Sequence, residues 1–350
     1  MSTRRVDTTL PSSRLWFLPA LCVCAILVLA GAGLRTACGA PAPGVERRQA
    51  TPQPQQSGTP GPQDGYRLKR DVDLVVLYAS VLDDRGNFIT NLQQNNFKVY
   101  EDKTEQKLSV FRREDVPLTV GLVVDNSGSM RDKREKVNAA ALTFVENSNP
   151  NDETFVVNFN DEFFLDLDKD FSSDIKELRE ALERVDSRGG TALYAALVGS
   201  MDHMKKGHRD KKVLLIITDG EDNASGHITL QTAVEEARKS GTIMYAVGLL
   251  SQEDKRAARN ARKALVTLTQ ETGGMAYFPN SVEEVQTICT EIARDIRNQY
   301  VFAYYPSNQA KDGTFRSVKI DVINPPKGDS GRLSVRTRLG YYAPKSSSGN

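Results

Sequence analysis

Apolar and polar positions alternate along this chain in four different regimes. Leu15 to Leu34 is an almost unbroken apolar run that follows Arg4, Arg5 and Arg14. At about 20 residues it is long enough to cross a bilayer, although Pro19, Gly31 and Gly33 weaken it as a helix. From Tyr66 to Glu114 the pattern is strand-like. DVDLVVLYASVL, NFKVYED and KLSVFRR are separated by turn signals such as Asp83-Asp84-Arg85-Gly86-Asn87, and no helical period is evident. From Pro117 to about Asn298 strands and helices take turns. LTVGLVVD and KVLLIITD are continuous apolar runs of the kind that form strands buried on both faces. TFVVNFND, TIMYAVGLL and MAYFP read as further strands. Helical periods run through MRDKREKVNAAALTFVEN, SDIKELREALERV, TALYAALVGSMDHM, TLQTAVEEARKS, Arg256–Thr269 and SVEEVQTICTEIARDIRNQ. After Gln299 the chain returns to strands in YVFAYYP, FRSVKIDVI and LSVRTRLGYY.

These regimes predict an α/β fold, a doubly wound and mostly parallel sheet, flanked on both sides in sequence by β-only segments. Each β segment is too small to build a good core alone. The expected architecture is one β-sandwich assembled from both flanks, with the α/β domain inserted between them. The expected boundaries are 1–40 for a signal peptide or signal anchor, 41–65 for a linker, 66–115 for the first β segment, 116–298 for the α/β domain, 299–345 for the second β segment and 346–350 for a disordered tail. Charged residues, then an apolar run, then small residues at Ala30-Gly31-Ala32 and Ala37-Cys38-Gly39, make an export signal, either cleaved or retained. A lipoprotein signal at Cys38 is disfavoured by Arg35, and a twin-arginine signal by the polar residues after Arg5. The linker is rich in Pro, Gln and Gly and has no aliphatic residue after Val45. It cannot bury enough surface to offset the entropy of ordering.

Charge changes the picture in one respect. The chain carries 46 basic and 45 acidic residues, but residues 1–70 hold nine of the former and three of the latter. The remainder is mildly acidic, which speaks against a nucleic-acid partner. Three of the four Cys lie in the first 38 residues, so the body has no internal disulfide, and Cys289 reads as core at helical spacing with Val285 and Ile292. His203 and His208 in HMKKGH do not share a helix face and read as surface residues. Tyr304-Tyr305 and Tyr341-Tyr342 read as strand packing, and Glu221-Asp222-Asn223 as a solvated loop.

The chemistry is concentrated where the apolar strands end. LTVGLVVD runs into Asp125-Asn126-Ser127-Gly128-Ser129, and KVLLIITD ends on Asp219. Ligands of open α/β sheets bind beyond the carboxyl ends of such strands. SRGGTAL adds a glycine-rich loop that ends in Thr191 before a helix. A simple helix cap would need one short polar residue, not this whole set. Two carboxylates and three hydroxyls are hard oxygen donors, suited to Mg²⁺, with Mn²⁺ and Ca²⁺ as alternatives. The metal ligands expected are therefore Asp125, Ser127, Ser129, Thr191 and Asp219, the acids partly through water. An octahedral ion held this way keeps a position open for a partner's Asp or Glu carboxylate.

Asp125-x-Ser127-x-Ser129, Thr191 and Asp219 resemble, in order and spacing, the metal-ion-dependent adhesion site of the von Willebrand factor type A domain. The resemblance spans about 116–298. NFKVYEDKTEQKLSVF, NQYVFAYYPSNQAKDGTFRSVKIDV and LGYYAP extend it over about 66–344 to the VWFA-related Acidobacterial domain family, which implies an exported bacterial protein. Two positions depart from the pattern: Lys103 stands where a turn glycine is usual, and Ala195 where an acid often follows TALY. The resemblance implies an extracytoplasmic module that binds a protein ligand through its metal. That protein is periplasmic, secreted or membrane-anchored, touching a membrane only through an uncleaved N-terminal segment. The alternatives are a structural component of an envelope assembly and a metal-dependent hydrolase. The chain has no H-E-x-x-H, G-x-S-x-G or P-loop and no His in the constellation, so no enzyme activity is expected.

Overall fold

The computed structural model describes residues 74–113, 115–325 and 332–346. The N-terminal apolar run, the Pro/Gln-rich linker and the last four residues lie outside them. The chain opens on four strands, β1 (Val75–Leu82), β2 (Phe97–Glu101), β3 (Thr104–Gln106) and β4 (Leu108–Arg112). It then alternates through β5 (Leu118–Asp125), α1 (Arg134–Glu146), β6 (Glu153–Phe159), β7 (Phe163–Leu165), α2 (Ile175–Glu183), α3 (Leu193–Met204), β8 (Lys211–Thr218), α4 (Leu230–Ser240), β9 (Ile243–Gly248), α5 (Lys255–Thr272), β10 (Ala276–Tyr277) and α6 (Val285–Arg297). It closes on β11 (Tyr300–Tyr304), β12 (Phe315–Val322), β13 (Ser334–Arg336) and β14 (Gly340–Tyr342).

The central sheet has six strands in the order β10-β9-β8-β5-β6-β7, parallel except for β7, which runs antiparallel to β6. All eight residues of β5 are buried, because helices cover both faces of the sheet. One face carries α1, α2 and α6, through Val137, Leu178 and Cys289 among others. The other carries α3, α4 and α5, through Leu197, Ala233 and Leu265. Gly121 in the middle of β5 lets Phe155 and Leu214 of the neighbouring strands close over it, where any side chain would collide with both. The helix after β5 goes to one face and the helix after β8 to the other. A crevice therefore opens between the C-terminal ends of these adjacent strands.

The β-only flanks pair with each other. One antiparallel sheet has the order β13-β1-β11-β4 and a second has β14-β12-β2-β3, so each contains strands from both ends of the chain. Alternate residues of both sheets meet in one core: Leu77 and Ala79, Phe97 and Val99, Phe302 and Tyr304, Val318 and Ile320. LSVRTRLGYY, expected as one strand, is divided. β13 pairs with β1 in the first sheet and β14 with β12 in the second, so this segment crosses between sheets at Thr337-Arg338-Leu339. Gly340 re-enters the second sheet where a side chain would strike the Arg316 carbonyl. Tyr304 is buried and its hydroxyl donates to Glu101 at 3.0 Å, whereas Tyr305 is half exposed.

His203 corrects the sequence reading. It is buried, its Nε2 lies 2.9 Å from the Asp170 carbonyl, and its ring packs on Phe155 and Phe171. HMKKGH signals polarity, but α3 turns this one residue inward. His208 is exposed, as expected, against Glu153.

Candidate metal centre

Asp125 is the last residue of β5 and is buried. Its Oδ1 accepts from the Ser127 backbone N–H at 2.8 Å, and its Oδ2 from the Thr218 hydroxyl at 2.6 Å, at the end of β8. The chain then tightens into a 3-10 turn over Gly128–Met130, which aims two hydroxyls at one place: Ser127 Oγ and Ser129 Oγ are 3.2 Å apart. Ser129 Oγ donates to Asp219 Oδ1 at 2.8 Å. Thr191 comes in on its glycine-rich loop, which is laid against the turn by Gly128 N–H donating to the Gly189 carbonyl at 3.1 Å. Its hydroxyl lies 3.6 Å from where a Cβ on Gly220 would sit, beside Asp219. The five residues are thus brought to one mouth, four of them linked in the order Asp125, Ser127, Ser129 and Asp219, with Thr218 bound to Asp125 at one end.

Supporting residues hold this arrangement. Gly189 has φ +71° and leaves room for Asp161, whose Oδ1 accepts from Gly190 N–H at 2.7 Å. Asn223 Oδ1 accepts from Thr191 N–H at 2.9 Å, and Asp222 Oδ2 from Tyr194 N–H at 2.8 Å in the first turn of α3. Asp222 and Asn223 are therefore clamps on the Thr191 loop and not a merely solvated loop. Glu221 instead accepts from Asn260 Nδ2 of α5 at 3.0 Å. At Ala195 no acid is present; its backbone N–H donates to Ser225 Oγ at 3.0 Å. Behind the turn, Asn126 Nδ2 donates to Asn158 Oδ1 at 2.7 Å, and Asn158 Nδ2 donates to Asp166 at 2.6 Å.

Charge is unevenly compensated. Burial pushes the Asp125 carboxyl up to about 6, against the hydrogen bonds from Thr218 and Ser127 that pull it down. Asp219 is fully buried and pairs through Oδ2 with Lys133 Nζ at 2.5 Å. Asp219 thus has an ammonium partner, whereas the Asp125 carboxylate is held by neutral donors. Lys133 was not singled out in the sequence; its position eight residues after Asp125 carries no motif, and only the direction of the turn into α1 brings it here. Thr218 was likewise hidden inside an apolar strand.

The donor set fits a small hard cation. Oxygens at adjacent corners of an octahedron around Mg²⁺ are about 3.0 Å apart, given metal–oxygen distances of about 2.1 Å. The Ser127–Ser129 and Ser129–Asp219 separations of 3.2 and 2.8 Å bracket that spacing. Among the described residues no three His, Cys, Asp or Glu side chains gather as a metal centre. Any ion here is held by two acids and by neutral hydroxyls.

Comparison with known proteins places this geometry in a family. Residues 120–291 match the family model of the von Willebrand factor type A domain. An uncharacterized protein from Synechocystis sp. is 30% identical over 108 residues, which is 30% of this chain and 26% of that protein. The chain thus matches about a quarter of this curated relative's length. Among solved structures, a von Willebrand factor type A protein from Catenulispora acidiphila is 13% identical with TM-score 0.45, covering 71% of this chain and 75% of that one. An aerotolerance-related membrane protein from Bacteroides fragilis is 18% identical with TM-score 0.43, covering 51% and 98%. Proximal thread matrix protein 1 from the mussel byssus, described with a zinc-occupied MIDAS motif, is 17% identical with TM-score 0.45, covering 56% and 49%.

Proposed function

Because residues 120–291 form a von Willebrand factor type A domain, we propose that this protein is an extracytoplasmic recognition module that binds a protein partner through a divalent ion, Mg²⁺ in the first place. The observation that carries the reading is that Asp125, Ser127, Ser129 and Asp219 are linked each to the next by hydrogen bonds at the β5/β8 crevice. Asp125 and Asp219 supply the charge, Ser127 and Ser129 the short neutral donors, and Thr191 closes the set from its loop. A divalent ion held by these residues would supply a Lewis-acidic position for a partner's Asp or Glu. The apolar run Leu15–Leu34 and the linker after it support export.

Calorimetric titration of the full chain with Mg²⁺ tests the site. Wild type is expected to bind at millimolar ion or below. Added Mg²⁺ should raise the melting temperature by preferential binding to the folded state. Asp125→Ala should lose both effects while staying folded, because the carboxylate lies at the mouth of the sheet and not in the apolar core. Equal Mg²⁺ binding by both proteins would overturn the assignment. A partner recovered equally well from an envelope extract in EDTA would separate recognition from the metal.

A further inference from the structure

Helix α5 begins Lys255-Arg256-Ala257-Ala258-Arg259-Asn260-Ala261-Arg262-Lys263. At about 100° per residue, Lys255, Arg256, Arg259, Arg262 and Lys263 fall within about a third of the helix circumference. Ala264, Leu265 and Leu268 on the opposite side are buried in the core. All five cations are exposed, and none forms an ion pair among the described residues. Elsewhere Lys98, Lys136, Arg184, Lys205 and Arg238 each lie on a carboxylate, and none of the other helices carries five lysines and arginines. The nearest acids in sequence, Glu253 and Asp254, precede the helix, and Asp254 is engaged as its N-cap.

This face borders a surface cavity of about 430 Å³ lined by Lys255, Arg259, Arg262, Ser251, Phe278 and Asn280. The Arg262 guanidinium stacks over the Phe278 ring at 3.8 Å, which fixes its plane. The cavity lies at the C-terminal ends of β9 and β10, on the same edge of the sheet as the metal centre. Two contacts join them. Leu249 N–H donates to the Thr218 carbonyl at 2.9 Å, and Asn260 Nδ2 donates to Glu221 Oε1 at 3.0 Å, two residues past Asp219.

We propose that the cationic face of α5 and its cavity are a second docking surface for the partner, an acidic protein segment that sets one carboxylate on the metal and further carboxylates on Lys255, Arg259 and Arg262. This rests on the metal-dependent reading above and extends it to the partner's chemistry. The argument for the occupant is charge complementarity: unpaired guanidinium groups beside hydroxyl and amide donors in a concave site suit planar carboxylates. The chain's own linker is a poor match, since residues 40–65 carry two acids and two arginines. A membrane surface is disfavoured because the exposed apolar trio Phe163, Phe164 and Leu165 lies on β7, at the far edge of the sheet from β9 and β10.

The test uses the full chain, a glutamate peptide of about ten residues, and phosphatidylglycerol vesicles. With Mg²⁺ present, wild type should bind the peptide, more weakly in about 0.5 M salt. The variant Lys255→Glu/Arg259→Glu/Arg262→Glu should lose on the order of tenfold or more in peptide affinity while its Mg²⁺ titration is unchanged. Unchanged peptide affinity in the triple variant would overturn the proposal. So would vesicle binding, or self-association in sedimentation, that the triple substitution abolishes while the peptide does not bind. If wild type took up no Mg²⁺ but the triple variant still lost the peptide, the metal reading would fall and the cationic surface would stand.

Discussion

At the scale of single residues, Lys133 holds a carboxylate that a divalent ion at this mouth would also need. Asp219 is fully buried, with one oxygen on Ser129 and the other on Lys133. Bringing a second cation to Asp219 sets it against the ammonium at close range, where each charge weakens the other's hold. Lys133→Met should therefore tighten Mg²⁺ binding by about three- to tenfold, read by calorimetry. Without added metal the same variant should be less stable by about 1–3 kcal/mol in denaturant titration, because a buried carboxylate loses its charged donor. A variant that binds Mg²⁺ no better would show that Lys133 moves aside without cost. The gathering of Asp125, Ser127, Ser129, Thr191 and Asp219 at one mouth was legible in the sequence because it follows from residue type and short spacing at the ends of apolar strands. Lys133, Asp161 and Asn223 were not. Their roles depend on how a helix leaves its turn and how two loops meet, which spacing along the chain does not encode.

At the scale of elements, turns reveal more than strands do. The β2–β3 hairpin turns through Asp102 at φ +45° and Lys103 at φ +70°. Two-residue turns of this hand match the twist of the strands but favour glycine. Lys103→Gly should stabilise the protein by about 1 kcal/mol, seen as a higher melting temperature at unchanged Mg²⁺ affinity. A lower melting temperature would mean that the lysine side chain contributes more than its backbone strain costs. The departure at Lys103 could be read in advance because turn chemistry is local. Helix ends follow the same local chemistry, with Thr229 and Asp254 capping α4 and α5 and Gly241 and Gly273 ending them in the left-handed region, although the sequence reading stopped α5 at Thr269, three residues short. The split of LSVRTRLGYY and the short edge strand β7 were not legible. Both depend on which sheet supplies a partner, and that is decided by residues far away in sequence.

For the whole molecule, the junction between the α/β body and the sandwich is built from buried charge. Asp295 of α6 accepts from Ser80 of β1, from the Tyr245 hydroxyl of β9 at 2.8 Å, and from Arg336 of β13. Next to it Lys211, 4% exposed, donates to the Ile296 carbonyl at 2.5 Å and lies over the Tyr78 ring. Burial, reinforced by Arg297, pulls the Lys211 ammonium down to about 7. Between that value and the ordinary lysine range near about 10.4, the unfolded chain holds a proton that the folded chain does not, so stability rises with pH across this window. Lys211→Met removes that slope. Its melting temperature should exceed wild type by more at about pH 6.5 than at about pH 9.5. A difference independent of pH would mean that Lys211 stays charged in the fold. The fold class was readable from the change of hydrophobic period along the chain, but this junction was not: its polar residues sit singly in five different elements.

The pairing of β1 with β11 and of β2 with β12 also sets an order of assembly. As the chain is made, β1, β4 and the outer edge of β2 in the β2–β3 hairpin emerge unmatched, and their partners follow only after the whole α/β body, from Leu118 to Arg297, has been threaded out. That body contains its own sheet and both of its helix layers, and can condense first. Its compaction draws the two loose flanks together and shortens the loop that sandwich formation has to close. The mouth that gathers Asp125, Ser127, Ser129, Thr191 and Asp219 is then complete before the sandwich. Any arrest in synthesis or passage beyond α6 would leave a formed mouth on a base of exposed, half-zipped strands, a species prone to pairing with its neighbours.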